Sequence, residues 1–397
     1  MRKNILGVAV FSALSASADA QEAASIPLGG FELVPTLSYT LGYDDNVIRN
    51  NDDKIESWKS VITPELVLLN NFGANQLQFG YRLSRGDYFS SQEDDYTDHL
   101  LSAKLDYELD ARNRFKADLT WENGHDERGT RYSIGSGASL VNPDEYKNTE
   151  LDVVYSYGAL TSVARIDINA NFMNIDYDLN TDSYKSRDRD VSTLGGTFYY
   201  QIAPLTDLTF DASHKEIDYD FALVPSEPLD SDEDRLLVGV KWESSAQTSG
   251  YAKVGYRKKD FKAAARDTFE GADWTVGVTW EPASYSKFNF STNSDTNETN
   301  GEGNFIKIRT YVADWQHEWI ERVNSIVMLE FTNNKYEGES GVVTRNDDNT
   351  SLVTGVNYEF RRWMVLKFNY KYDKRDSNRD TIDYDRNRFN FTVNVSL

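Results

Sequence analysis

Four histidines, His99, His125, His214 and His317, are the only soft nitrogen ligands in a chain that has no cysteine. Transition-metal sites bring such ligands together in closely spaced pairs, as in His-x-x-x-His. These four lie in separate segments without that spacing, so neither a metal nor another cofactor is expected. Asp98-His99 and His125-Asp126 place an acid beside an imidazole, the pairing that hydrolases use. A triad requires three groups that meet in space, and neighbours in sequence need not face one another. The sequence argues against an enzyme. Asp44-Asp45 with Asp52-Asp53, the alternating Asp176, Asp178, Asn180 and Asp182, and the run Asp230 to Asp234 could attract calcium. None has the mid-loop glycine of an EF-hand. Solvated loops, with divalent ions bridging them to lipopolysaccharide as the lesser reading, account for them. Gly135-Ser136-Gly137 has no flanking strand and helix and cradles no phosphate.

A different chemistry lies in charges that alternate with apolar residues. Arg82, Lys104, Asp106, Lys116, Asp118, Glu122, Arg165, Lys241, Lys253, Arg257, Lys367 and Lys371 all occupy the polar phase of such stretches, as do Asp152 and Asp167. Around a water-filled bore, charges and hydroxyls could hydrogen-bond passing solutes, and lysine and arginine would attract anionic groups. They are the candidate pore-lining residues. The plainer reading is a solvated wall whose charges pair across strands.

The elements that must position them have period two. Phe389, Phe391, Val393, Val395 and Leu397 alternate with Arg388, Asn390, Thr392, Asn394 and Ser396, and the pattern recurs at Leu101 to Tyr107, Phe115 to Trp121, Trp274 to Trp280 and Met364 to Tyr370. Alternation of this kind gives a strand one apolar and one polar face. About eighteen such segments begin near residues 31, 58, 76, 98, 114, 148, 162, 190, 205, 235, 250, 272, 286, 305, 323, 351, 363 and 387. Connections alternate between short, such as Ala203 to Leu205, and long and polar, such as Asn123 to Lys147. Short turns at one end and long loops at the other predict an all-β chain: a transmembrane antiparallel β-barrel with periplasmic turns and extracellular loops. A soluble β-sandwich would also bury apolar stripes and is the competing fold. Pro35 and Pro64, which each lack a ladder donor, predict a bulge or a strand end.

Composition and compartment agree with a barrel. Over 397 residues, 64 acidic side chains outnumber 42 basic ones, a net charge of -22. A nucleic-acid surface needs the opposite balance. Beyond the N-terminus no run approaches the roughly 18 apolar residues of a membrane helix. Arg2 and Lys3, the apolar Ile5 to Leu14 and Ala18-Asp19-Ala20 read as a signal peptide over residues 1–20, leaving 21–397 as the barrel. Only Gln21 to Gly30 precede the first strand, too little for a plug domain, so Asn123 to Lys147 is the candidate for a folded-in loop.

Leu41-Gly-Tyr-Asp-Asp-Asn-Val-Ile-Arg49, then Val61-Ile-Thr-Pro-Glu-Leu66, resembles the opening of the β-barrel porin 2 family, which includes EpsL-like and VpsM-like barrels associated with exopolysaccharide synthesis. Tyr96-Thr-Asp-His99, Gly250-Tyr-Ala-Lys-Val-Gly-Tyr256, Trp280-Glu-Pro282 and Ser286-Lys-Phe-Asn-Phe290 continue the likeness in order, although Leu397 stands where such barrels usually end in phenylalanine. The resemblance implies an outer-membrane conduit for an exopolysaccharide or capsular polysaccharide, with periplasmic export components as partners alongside lipid and lipopolysaccharide. Two alternatives stay open: a general or oligosaccharide-selective diffusion porin, and a surface receptor or adhesin. A monomer is expected, since no run of small apolar residues suggests a trimer wall.

Overall fold

The computed structural model describes residues 25–243, 247–338 and 344–396; the expected signal segment 1–20 and Leu397 lie outside the described residues. A short β1 (Ile26–Leu28) turns back on the start of β2 (Phe31–Asp44). There follow β3 (Ser57–Phe72), β4 (Asn75–Tyr88), β5 (Tyr96–Glu108), β6 (Asn113–Asp126), β7 (Asp144–Tyr157), β8 (Ala164–Tyr177), β9 (Arg189–Ala203) and β10 (Thr206–Tyr219). The remainder are β11 (Ser231–Glu243), β12 (Thr248–Phe261), β13 (Phe269–Ala283), β14 (Ser286–Glu298), β15 (Phe305–Ile320), β16 (Val323–Glu337), β17 (Asn346–Arg361), β18 (Met364–Ser377) and β19 (Tyr384–Ser396). Each strand from β2 onward pairs antiparallel with its neighbours in sequence, and β19 closes on β2 from Arg388↔Asp44 to Ser396↔Thr36. The sheet is thus a closed barrel of eighteen strands with β1 as a short flap. Closure satisfies backbone groups that lipid cannot.

Alternation puts one face of every strand in lipid. Leu101, Leu119, Val238, Phe290, Phe389 and Phe391 are all exposed on the convex face. Aromatic rings gather at both ends of it. Trp58, Tyr43, Phe389 and Tyr370 form one row across four strands, with Tyr43–Trp58 centroids 5.4 Å and Tyr370–Phe389 centroids 4.9 Å apart. Trp280, Phe288, Trp315 and Trp319 form the other, near the short turns. Strands of 13 to 16 residues exceed the roughly 9–11 that cross a bilayer, so their loop-side ends project beyond it.

Two expectations need correction. Pro35 and Pro64 produce neither a bulge nor a strand end: both lie inside strands of unbroken register. Pro35 stands between the end of the β1 pairing at Leu33 and the start of the β19 pairing at Thr36, and the β3–β4 pairing lapses between Ile62 and Glu65. Each missing donor falls where a ladder is already interrupted. Several strands also begin earlier than alternation suggests, β7 at Asp144 and β17 at Asn346, because they continue above the membrane, where neither face needs to be apolar.

The bore is not uniform. Pairing of β13 with β14 covers only Thr275 to Ala283, and toward the long loops the two strands part. There the end of β14 tucks inside the wall: Thr296 accepts a hydrogen bond from Arg257 on β12 at 2.9 Å, and Glu298 accepts one from Lys259 at 2.8 Å and another from Tyr219 on β10 at 3.0 Å. Phe305, at the start of β15, is 3% exposed and packs on Phe269 at 4.9 Å. The parted backbone lies on the loop side of Thr275.

Candidate functional site

The concave face is identified by contacts between strands that do not adjoin, since curvature brings alternate strands together only on the inside. Lys253 on β12 reaches Asp211 on β10 at 2.7 Å, and Arg235 on β11 reaches Asp273 on β13 at 2.9 Å. The twelve candidate charges lie on this face. Arg82 pairs with Glu65 at 3.0 Å, Lys104 with Asp118 at 2.8 Å and Lys116 with Asp106 at 2.5 Å. Arg165 pairs with Asp207, Lys241 with Glu243 at 2.9 Å and Lys371 with Asp373 at 2.9 Å. Arg257 binds Asp273 at 2.6 Å and Glu233 at 2.5 Å. Glu122 and Lys367 take part in no ion pair among the described residues.

Exposure varies around the ring as well as with depth: Arg165 and Asp207, beside short turns of β8 and β10, are only 14% and 12% exposed. Near the short turns the side chains of Lys104 and Lys116 are 50% and 63% exposed, whereas Arg257 and Lys259, near the loops, are 5% and 0%. Along β5 and β6 the bore is open toward the periplasm, and toward the outside it is filled.

What fills it, beside the tucked strands, is the segment 127–143 between β6 and β7. Its first residue, Glu127, forms ion pairs with Arg49 and, at 3.3 Å, with Arg386 on β19. Arg386 is wholly buried against an equally buried Asp44. Arg128 is fixed by Asp94, with Nε at 2.8 Å, and by the Leu140 carbonyl at 3.1 Å. Gly129, at φ +81°, presses on the Ile48 carbonyl of segment 45–56, and Ile48 itself is 2% exposed. A side chain there would strain the backbone and strike that carbonyl. Farther along, the Tyr132 ring lies 4.2 Å from the Arg187 guanidinium, whose other face meets Tyr184 at 3.9 Å in α1 (Asp182–Lys185). A Cβ built on Gly301, in the loop after β14, would be 3.9 Å from Tyr132. β6 and β14 lie across the ring from one another, so the segment crosses the bore. Burial alone would raise the Glu127 carboxyl, but the charges of Arg49, Arg386, Arg388 and Lys59 outweigh it and hold the group well below the ordinary glutamate range.

Arg49, Lys59, Lys371, Arg386 and Arg388 stand here against Asp44, Glu127 and Asp373, a surplus of positive charge in an acidic protein. Of these residues, alternation singled out only Lys371. Arg386 and Arg388 are in the polar phase of the last strand, but their partners come from remote loops. One missed device has a sequence signal. Asp95, Asp188, Asp230 and Asp383 each precede a strand and accept the backbone N–H that ends the previous one, from Tyr88, Tyr177, Tyr219 and Ser377, at 2.6 to 2.8 Å. An aspartate is thus the clasp of four extracellular hairpins.

The histidines and acidic runs weighed for other chemistry lie in separate places. His125 bonds Asp98 at 2.8 Å, His99 bonds Tyr81 at 2.9 Å, His214 bonds Asp234 at 2.8 Å, and His317 lies among the girdle rings 4.3 Å from Trp319. Among the acidic runs, Asp230 is a clasp, Asp44 holds Arg386 and Asp178 pairs with Lys147 at 2.7 Å.

Closed antiparallel strands, a lipid-facing apolar band between aromatic rows and a charged interior define an outer-membrane β-barrel of the channel-forming class. Residues 19–397 match the family described as Putative beta-barrel porin 2, and the chain belongs to it. No curated protein matches. Among solved structures the chain is similar to Pseudomonas aeruginosa OccK1 (OpdK), at 10% identity and a TM-score of 0.51 over 92% of this chain and 99% of that one. It is equally similar to P. aeruginosa OpdK with vanillate, at 11% identity and a TM-score of 0.51 over the same shares. At these identities the likeness is one of fold.

Proposed function

We propose that this protein is a selective diffusion porin that admits small solutes across the outer membrane, the alternative to the polysaccharide export implied by the resemblance. The observation that carries this reading is the segment 127–143, anchored on both sides of the bore by Glu127–Arg386 and by Tyr132 stacked on Arg187. A long polymer needs a continuous wide path, whereas a small solute needs only the gaps beside such a crossbar. Export would require the segment to leave, breaking buried charged contacts that cost several kcal/mol when one partner is lost. The solutes would meet the candidate wall residues, with Arg82, Lys104, Asp106, Lys116, Asp118, Lys241 and Lys367 from mid-wall to the short turns, Glu122, Arg257 and Lys371 nearer the loops, and Arg165 and Lys253 held in well-buried pairs. Swelling of liposomes containing the purified protein tests the reading. Mono- and disaccharides should enter and larger oligosaccharides should not. Absence of swelling by any sugar, together with loss of surface polysaccharide on gene deletion, would establish export instead.

A further inference from the structure

The concave face is charged unequally around the ring. On β18 and β19 it carries Lys367, Lys371, Arg375, Arg386 and Arg388 against one carboxylate, Asp373. The nearby Asp347 is taken up by Arg345 at 2.6 Å, and Asp44 and Glu127 leave the cationic surplus in place. Arg375 is 8% exposed and its Nη1 has no hydrogen-bond partner among the described residues, and Lys59, equally buried on β3, donates to the Tyr88 hydroxyl at 3.2 Å. Across the bore the balance reverses. The concave faces of β6, β7 and β8 carry seven carboxylates; Asp126 and Asp144 are taken up by Arg131 at 3.1 Å and Arg187 at 2.7 Å from the loops, which leaves Asp118, Glu122, Glu150, Asp152 and Asp167 against Arg114, Lys116 and Arg165. Glu150 and Asp152 there both accept from the Asn171 amide, at 2.7 and 2.9 Å.

Two walls of opposite sign, set in low-dielectric protein, maintain a field across the water between them. Such a field binds a simple anion or cation to one wall, but it orients a dipole and lowers its energy over the whole passage. We propose that the bore is transversely polarised and that its preferred solute is a small zwitterion, with the anionic group toward β18–β19 and the cationic group toward β6–β8. This rests on the porin reading and deepens it.

The test compares liposome swelling by serine with swelling by an uncharged polyol of similar size, and measures ion selectivity from the reversal potential in planar bilayers. Wild-type protein should pass the zwitterion faster. Lys367→Gln with Lys371→Gln should shift selectivity toward cations, and Glu122→Gln with Asp152→Asn should shift it toward anions. Each pair should bring the zwitterion-to-polyol rate ratio toward one. Heat-modifiable migration identifies variants that fold. A conducting wild type with a ratio of one or less overturns the proposal, as does a ratio that only the basic-wall variant lowers, which means a simple anion path. A protein that neither conducts nor swells liposomes contradicts the porin reading itself.

Discussion

At the scale of single residues, stability concentrates where charge is buried. Arg386 and Asp44 are both fully buried and bonded to each other, so Arg386→Ala would strand a carboxylate and should cost about 3–5 kcal/mol. Arg386→Met with Asp44→Leu should recover much of that loss, and the midpoint of heat modification distinguishes the two. Glu127 gives a pH dependence. Its carboxyl is depressed by Arg49 and Arg386, so its contribution is complete above the ordinary glutamate value near 4.3 and is lost only as pH falls through the lower folded value. Proteolysis within 127–143 should therefore be unchanged from neutral pH to about 5 and should rise only in stronger acid. Susceptibility that rises between pH 7 and 5 would implicate another group. Such residues were hard to read from the sequence because Arg386 and Glu127 lie 259 positions apart. Their side chains have no local pattern to announce them.

At the scale of elements, the strands were legible because two-residue alternation is a local signal imposed by lipid on every crossing. All eighteen expected segments correspond to strands, and Leu105 and Asp106 fall on opposite faces as the phase requires. A charge on the wrong face supplies the test. Leu119→Arg, on the exposed convex face, should destabilise the barrel by about 2–4 kcal/mol if it lies near mid-membrane, whereas Thr120→Arg, one position on, should cost much less. Equal effects in urea unfolding from lipid vesicles would refute the facing. The closing strand should be less tolerant: Phe391→Asp with Val395→Asp puts two charges on the lipid face of β19 and should abolish insertion, seen as loss of the heat-modifiable form from the outer membrane. Loops carry no such periodic signal. The strand-end clasps at Asp95, Asp188, Asp230 and Asp383 were readable in principle, but an aspartate before a strand has many other uses.

At the scale of the molecule, alternation and connection lengths specify a barrel but leave its bore undetermined. An eighteen-strand ring encloses more space than wall side chains can fill. What occupies that space is decided by contacts among segments 45–56, 127–143, 178–188 and 378–383, together with the tucked ends of β14 and β15. The length of the region between Asn123 and Lys147 marked the right segment, while its course across the bore became evident only from its partners. Single-channel conductance in planar bilayers tests the crossbar most directly, with the wild type measured beside a chain in which 129–142 is replaced by a short glycine–serine linker. Small, uniform steps are expected for the wild type and steps several times larger for the shortened chain, both folded by heat modification. Equal conductance in the two would mean that the segment does not restrict the bore, and would contradict the account.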